Sequence, residues 1–354
     1  MASPYKSLVK KVKVEAKVEA KAKAKVKVET QVCPFPATPK QSVAVHDIDI
    51  GRALMTLREG SAKDRAQTAR LLGDLAFMKK VKIPEAIFPL SVLIKIDDDP
   101  VVREEAAWAL WKIGDKKASE ALLHALANDD WTDVREKAAR ALGLLGANEA
   151  VPLMVALLSL GRSVPAKLRA ALAASLGLLV DPQAARVLLH AALDAEPSIR
   201  YEAVKSLGRY LFNFSQDIME KSFSQIIRSL SPHRERIPEI RQSAIKALRI
   251  CRDPRALEAI ANAAMNDPDA ETRKLACETL LCFDGPASES ALIDALEDSN
   301  WFVRKTAGRV LAESVKRSRI YNTPRVCEAL QRMERMFPSG SREWRLAAEA
   351  FASL

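Results

Sequence analysis

Glycine and aromatic side chains are scarce, at 12 glycines and 5% aromatics in 354 residues, which suits helices rich in Ala and Leu. No apolar run reaches the roughly 18 residues that a membrane-spanning helix needs, so none is expected. The five cysteines, Cys33, Cys251, Cys277, Cys282 and Cys327, are odd in number and scattered. That excludes a disulfide framework and points to reduced thiols in a cytoplasmic setting. Cys277 and Cys282 lie five apart on one expected helix, where their side chains diverge by about 140°, so they do not form a redox pair. The four histidines, His46, His124, His190 and His233, fall in no H-x-H or H-E-x-x-H pattern. A G-x-G-x-x-G turn, a Walker loop and a G-x-S-x-G elbow are also missing. The carboxylates sit at charge-pair spacings on helix surfaces. No catalytic residue, metal site or cofactor is therefore assigned.

Charge is unevenly placed. The chain carries +10, of which residues 1–30, with nine Lys and three Glu, hold +6. Lysines there alternate with Val and Ala, a pattern with no core of its own to offset the entropy of ordering. Residues 1–44 are thus expected to form a disordered basic tail and linker, and nucleic acid is a possible partner through residues 1–30. The tail lacks the apolar region of a signal peptide, and it is dominated by Lys and Glu where a mitochondrial presequence is rich in Arg and Ser.

The rest of the chain repeats itself. The stretch DDDPVVREEAAWALWKIGD, Asp97 to Asp115, returns in imperfect copies marked by Arg65, Arg103, Arg135, Arg169, Arg200, Arg241, Arg273, Arg304 and Arg345, at spacings of 31 to 41 residues. Three residues after most of these arginines stands an Ala, and seven after nearly all stands a Leu, so the apolar residue before Arg, the Ala and the Leu share one helix face. A second amphipathic segment, such as Ala118 to Leu126 or Pro254 to Met265, fills each interval and makes every unit a helical hairpin. Acidic groups such as Asp97 to Pro100, Asn128 to Asp130, Asn266 to Asp269 and Asp298 to Asn300 precede the Arg-bearing helices. They suit N-caps and the helix dipole, and an Asp there can also pair with an Arg of a neighbouring repeat. A period of this length signals a solenoid, whose units bury their apolar faces only against neighbours. Val45 to Glu59 is expected to form a leading helix that caps the stack. Two insertions depart from the period: a segment with Tyr210, Phe212, Phe214 and Phe223 that ends near Arg241, and another from Lys316 to Arg325.

The pattern D-P-x-V-R-x-x-A-A-x-A-L-x-x-I-G, from Asp99 to Gly114, resembles the short HEAT repeat of the phycobilisome-lyase type. The resemblance implies an all-α fold for residues 45–354: a right-handed α-solenoid of about eight hairpins, with the Arg-bearing helices lining a concave face. Deoxyhypusine hydroxylase is built of similar units and holds two irons with repeated His-Glu pairs. No His-Glu dipeptide occurs here, so that oxidoreductase activity is not expected.

Binding surface is the more productive reading. Five residues after Arg the chain reads Trp108, Arg140, Ala174, Lys205, Lys246, Glu278 and Arg309, and four positions earlier Glu104, Glu136, Ala170, Tyr201, Gln242, Lys274 and Lys305. These columns vary while the core columns hold, which places them in or beside the groove. The candidate partner-binding residues are Trp108, Trp111, Arg140, Tyr201, Lys205, Arg209, Lys246, Arg249 and Arg309. From Tyr201 onward they are mostly basic or polar, which suits a partner that is acidic in part. A scaffold or adaptor that grips a protein in the groove is the leading expectation. A bilin lyase or lyase-like chaperone, implied by the resemblance, and a nucleic-acid binder like the HEAT-like alkyl-purine DNA glycosylases are the alternatives.

Overall fold

The computed structural model describes residues 49–212, 214–317 and 323–352. The tail expected over residues 1–44 and His46 lie outside the described residues. Every regular element among the described residues is helical, and the chain divides into two compact units, one through Ala184 and one from Ala185.

The first unit holds α1 (Ile50–Glu59), α2 (Ala62–Lys79), α3 (Ile87–Ile96), α4 (Pro100–Ile113), α5 (Ser119–Asn128), α6 (Thr132–Leu145), α7 (Val151–Ser159) and α8 (Ala166–Leu179). The second holds α9 (Ala185–Ala191), α10 (Pro197–Leu207), α11 (Gln216–Ser229), α12 (Pro238–Cys251), α13 (Leu257–Asn266), α14 (Ala270–Leu280), α15 (Pro286–Asp294), α16 (Trp301–Lys316), α17 (Pro324–Met336) and α18 (Arg342–Ala352). Each odd-numbered helix packs against the even-numbered helix after it, so the unit is a hairpin. Arg-bearing helices also pack on one another, α2 on α4, α4 on α6 and α6 on α8 in the first unit, and α10 through α18 likewise in the second.

The repeated apolar columns form the core. Ala106, Ala138, Ala203, Ala244, Ala276 and Ala307 are fully buried, as are Leu72, Leu110, Leu142, Leu176, Leu207, Leu248, Leu280 and Leu311. Burial of each such Leu stabilises the stack by about 1.5–3 kcal/mol. Small residues set the interhelical distance. A Cβ at Gly143 on α6 would fall 2.7 Å from the Ser175 Cβ on α8, and the Ser175 hydroxyl donates to the Ala139 carbonyl at 2.8 Å.

The acidic groups before the helices divide their work. Asp99 caps α4 and Asp269 caps α14, whereas the residues two positions earlier face the arginines. Arg103 donates through Nε and Nη2 to both oxygens of Asp129, at 2.7 and 3.0 Å. Its Nη1 turns back to the Asp97 and Asp98 carbonyls, at 2.7 and 3.2 Å. Arg65 holds Asp97 in the same way, at 2.7 and 2.9 Å. In the second unit Arg200 holds Glu235, Arg241 holds Asp267 and Arg273 holds Asp298. Each of these carboxylates also accepts the N–H two residues on, as Asp298 does from Asn300 at 2.7 Å, which shapes the turn into the next helix. Arg135 departs from the ladder and donates instead to the Leu126 carbonyl at 3.1 Å, since the segment before α8, Leu160 to Pro165, has no acid.

The first insertion is absorbed into the fold. A 3-10 turn, Gly208–Leu211, extends α10, and α11 has 14 residues against the 10 of α5. Tyr210 and Phe223 are buried, and Tyr210 stacks on Phe214 with ring centroids 4.8 Å apart. The extra length thus appears as an additional helical turn with its aromatics largely inside. Of the second insertion, residues 318–322 lie outside the described residues, and α17 begins after its N-cap Thr323.

The Arg241–Asp267 pair has side chains only 2% and 1% exposed. Removing one member of such a pair leaves a buried charge uncompensated. Asp267→Ala is expected to destabilise the protein by about 3–5 kcal/mol, and Asp217→Ala, which breaks an exposed α11 pair, by less than about 0.5 kcal/mol; urea unfolding of both variants checks this. A pH dependence follows as well. Burial works to raise the carboxylic pKa of Glu235 and of Asp298, but the hydrogen bonds from Arg200 and Arg273, with the turn N–H groups, outweigh it and leave both below their ordinary values of 4.5 and 3.8. Their stabilising contribution is therefore complete above those ordinary values and lost as pH falls through the lower folded ones. The stability curves of the wild type and Asp298→Asn are expected to differ at pH 7 and to converge below pH 3.8, as measured by chemical denaturation across pH.

Candidate interaction surface

In the first unit residues in and beside the variable columns form a seam of ion pairs between the successive Arg-bearing helices α2, α4, α6 and α8. Arg70 on α2 pairs with Glu105 on α4, and Lys112 on α4 reaches back to Asp74 at 2.6 Å. Lys137 on α6 lies 3.6 Å from Glu104 on α4. Lys167 on α8 meets Asp133 at 2.7 Å and Glu136 at 3.3 Å. The Asp133 hydrogen bond, with the Glu136 charge behind it, holds the Lys167 ammonium above its ordinary range despite some burial. Arg140, a predicted site residue, donates to Glu136 one turn back at 2.6 Å, and Glu136 itself is buried. The column is therefore both surface and interhelical packing.

Aromatic rings are set into this seam. Trp108 and Trp111 are half-buried neighbours with centroids 4.3 Å apart, and Trp111 meets Phe77 at the end of α2 at 5.5 Å. Phe77 is 53% exposed and Met78 beside it 76%. Lys137 and Lys112 stand over the Trp108 ring, 5.1 and 5.9 Å from its centre, contacts worth about 0.5–1 kcal/mol each at a surface. The tryptophans were legible in the sequence. Phe77 was not, because the last turn of α2 extends beyond the repeat and has no counterpart column.

The second unit carries the remaining predicted residues. The Lys205 ammonium lies 5.6 Å from the Tyr201 ring centre and 3.2 Å from Glu202. Arg309 on α16 reaches Glu278 on α14 at 3.7 Å and Glu313 at 3.3 Å. Lys246 and Arg249 stand exposed on α12, and Arg209 is half-buried on the turn after α10. Bridging pairs join α14 to α16 and α16 to α18, the latter through Lys305 and Glu343 at 3.2 Å.

Elsewhere the chemistry is bland. Among the described residues no group of three or more His, Cys, Asp or Glu side chains is placed to hold a metal ion, and no helix is long and apolar enough to cross a membrane. His124 on α5 and His190 on α9 are exposed at matching places in their hairpins. Burial pushes the Cys277 thiol up to about 12, which keeps it protonated and unreactive at neutral pH.

A family model for HEAT repeats matches residues 52–143, 89–163 and 257–350, together more than half of the chain. A search of curated proteins finds no match. Among solved structures, a chain from the complex of Kap95p with RanGDP is 14% identical with a TM-score of 0.58; the match covers 85% of this chain and 44% of that one. A chain from the complex of CpcE and CpcF of phycocyanin lyase from Nostoc sp. PCC7120 is 20% identical with a TM-score of 0.46, covering 74% of this chain and 97% of that one. An engineered protein is 19% identical with a TM-score of 0.48, covering 87% and 89%. At 14% identity the likeness to the chain of the Kap95p–RanGDP complex speaks to fold alone.

Proposed function

The chain belongs to the HEAT-repeat proteins, and from that premise we propose that it is a non-enzymatic scaffold whose Arg-bearing helices grip a protein partner. The observation that carries this reading is the run of Phe77, Trp111 and Trp108 across α2 and α4. Large aromatic side chains on a rigid helical platform are the residues most often found as interface anchors. Around them the charges of the seam are paired with one another, so a partner's apolar side chain meets a surface with little uncompensated charge to desolvate. Arg140 and Lys137 then act at the rim, with Glu136 and Glu104 holding their positions.

Affinity capture from native extract after nuclease treatment tests the proposal. The full chain is expected to retain a protein partner, and Trp108→Ala to weaken that partner by about 30-fold, the effect of losing a hot spot worth about 2 kcal/mol. Equal retention by Trp108→Ala overturns the assignment of the anchor. Loss of all partners on nuclease treatment favours a nucleic-acid role instead, and visible absorbance copurifying from a bilin-making host favours the lyase-like one.

A further inference from the structure

The seam of ion pairs that joins neighbouring Arg-bearing helices is interrupted between α10 and α12. Helix α10 lies close against α12 there: a Cβ at Gly208 would fall 2.7 Å from the Ala247 Cβ. Arg209 and Lys246 adjoin these two contact residues, so the close approach brings them to neighbouring places. Lys205 lies one turn before Arg209, and Arg249 one turn after Lys246. Among the described residues no ion pair bridges the faces of these two helices, and Arg209, Lys246 and Arg249 have no carboxylate within pairing distance, while Lys205 reaches only Glu202 on its own helix at 3.2 Å. The contrast with the first unit is chemical. There Lys112, Lys137, Arg140 and Lys167 all meet carboxylates of their own chain.

We propose that the α10–α12 face is a second docking surface, and that its occupant is an acidic segment of a protein partner whose carboxylates complete the ion pairs this chain leaves open. Two features favour a peptide over a nucleic acid. The Glu202 carboxylate already sits against Lys205 at 3.2 Å, so an evenly charged phosphate backbone meets repulsion there that a peptide with spaced carboxylates avoids. Apolar groups also border the cations, with the Tyr201 ring beside Lys205 and Ile250, 69% exposed, next to Arg249. The occupant is thus a Glu- or Asp-rich segment with interspersed apolar side chains. The inference rests on the scaffold reading but uses residues separate from the aromatic run.

The test uses the full chain and a fluorescein-labelled glutamate-rich peptide with interspersed leucines, with a single-stranded oligonucleotide of equal charge as competitor. The peptide is expected to bind, Lys246→Glu/Arg249→Glu to weaken it tenfold or more, and Lys116→Glu/Lys117→Glu, at exposed positions before α5, to leave it unchanged. Lys246→Gln/Arg249→Gln supplies the same comparison should the reversed charges disturb folding, which circular dichroism reports. Trp108→Ala is expected to leave peptide affinity intact, so failure here and failure of the aromatic anchor are read separately. No binding of the peptide, equal affinity in the charge variants, or tighter binding of the oligonucleotide through the same two residues overturns the proposal.

Discussion

Each ladder arginine holds two loops at once: Nη1 takes carbonyls of the loop before its own helix, while Nε and Nη2 take the carboxylate of the next loop. The carboxylate in turn accepts the N–H that starts the following helix. One side chain therefore fixes the entry of its own helix and the distance to its successor. Apolar packing supplies most of the stabilising free energy, but Ala and Leu surfaces alone permit many sliding arrangements. A buried bidentate pair permits few, because a misplaced carboxylate leaves a charge without compensation. The regular hairpin stack within each unit is the geometric consequence.

That regular core leaves the variable columns to differ from unit to unit. In the first unit they close on themselves through paired charges and expose aromatic rings. In the second Lys205 reaches only Glu202 of its own helix, and among the described residues no ion pair bridges the faces of α10 and α12. A scaffold built this way separates stability from recognition: the ladder and the Leu columns hold the stack, while substitutions at the Trp108 or Lys246 positions change what the surface fits.

Much of the architecture was legible because its causes are local and repeated. The Ala and Leu offsets report one helix face, the acidic groups before the Arg-bearing helices report helix starts, and the spacing between arginines reports the hairpin. What was illegible depends on which helix lies beside which. The acidic clusters read both as N-caps and as partners for an Arg of a neighbouring repeat, without showing which Asp does which: Asp99 and Asp269 are caps, whereas Asp97, Asp129, Asp267 and Asp298 serve arginines 25 to 32 residues away. The aromatic insertion near Tyr210 was legible only as a departure from the period, and packing shows it as a 3-10 turn with Tyr210 buried. Cations such as Arg140 read as available to a partner, yet one carboxylate a turn away occupies Arg140 while Lys246, in the same column, meets none among the described residues. Column position sets where a side chain stands, and its neighbours set whether its charge is spent.

Hydrogen exchange in Arg273→Met tests the central claim most directly, since this substitution keeps much of the side-chain volume and removes both sets of hydrogen bonds. If one guanidinium ties consecutive loops together, the amides of Asp269 and Asn300, one in each loop, lose protection together while those of the first unit keep theirs. Loss confined to α14, with the Asn300 amide protected as in the wild type, would contradict the account and leave apolar packing as the sole determinant of the stack.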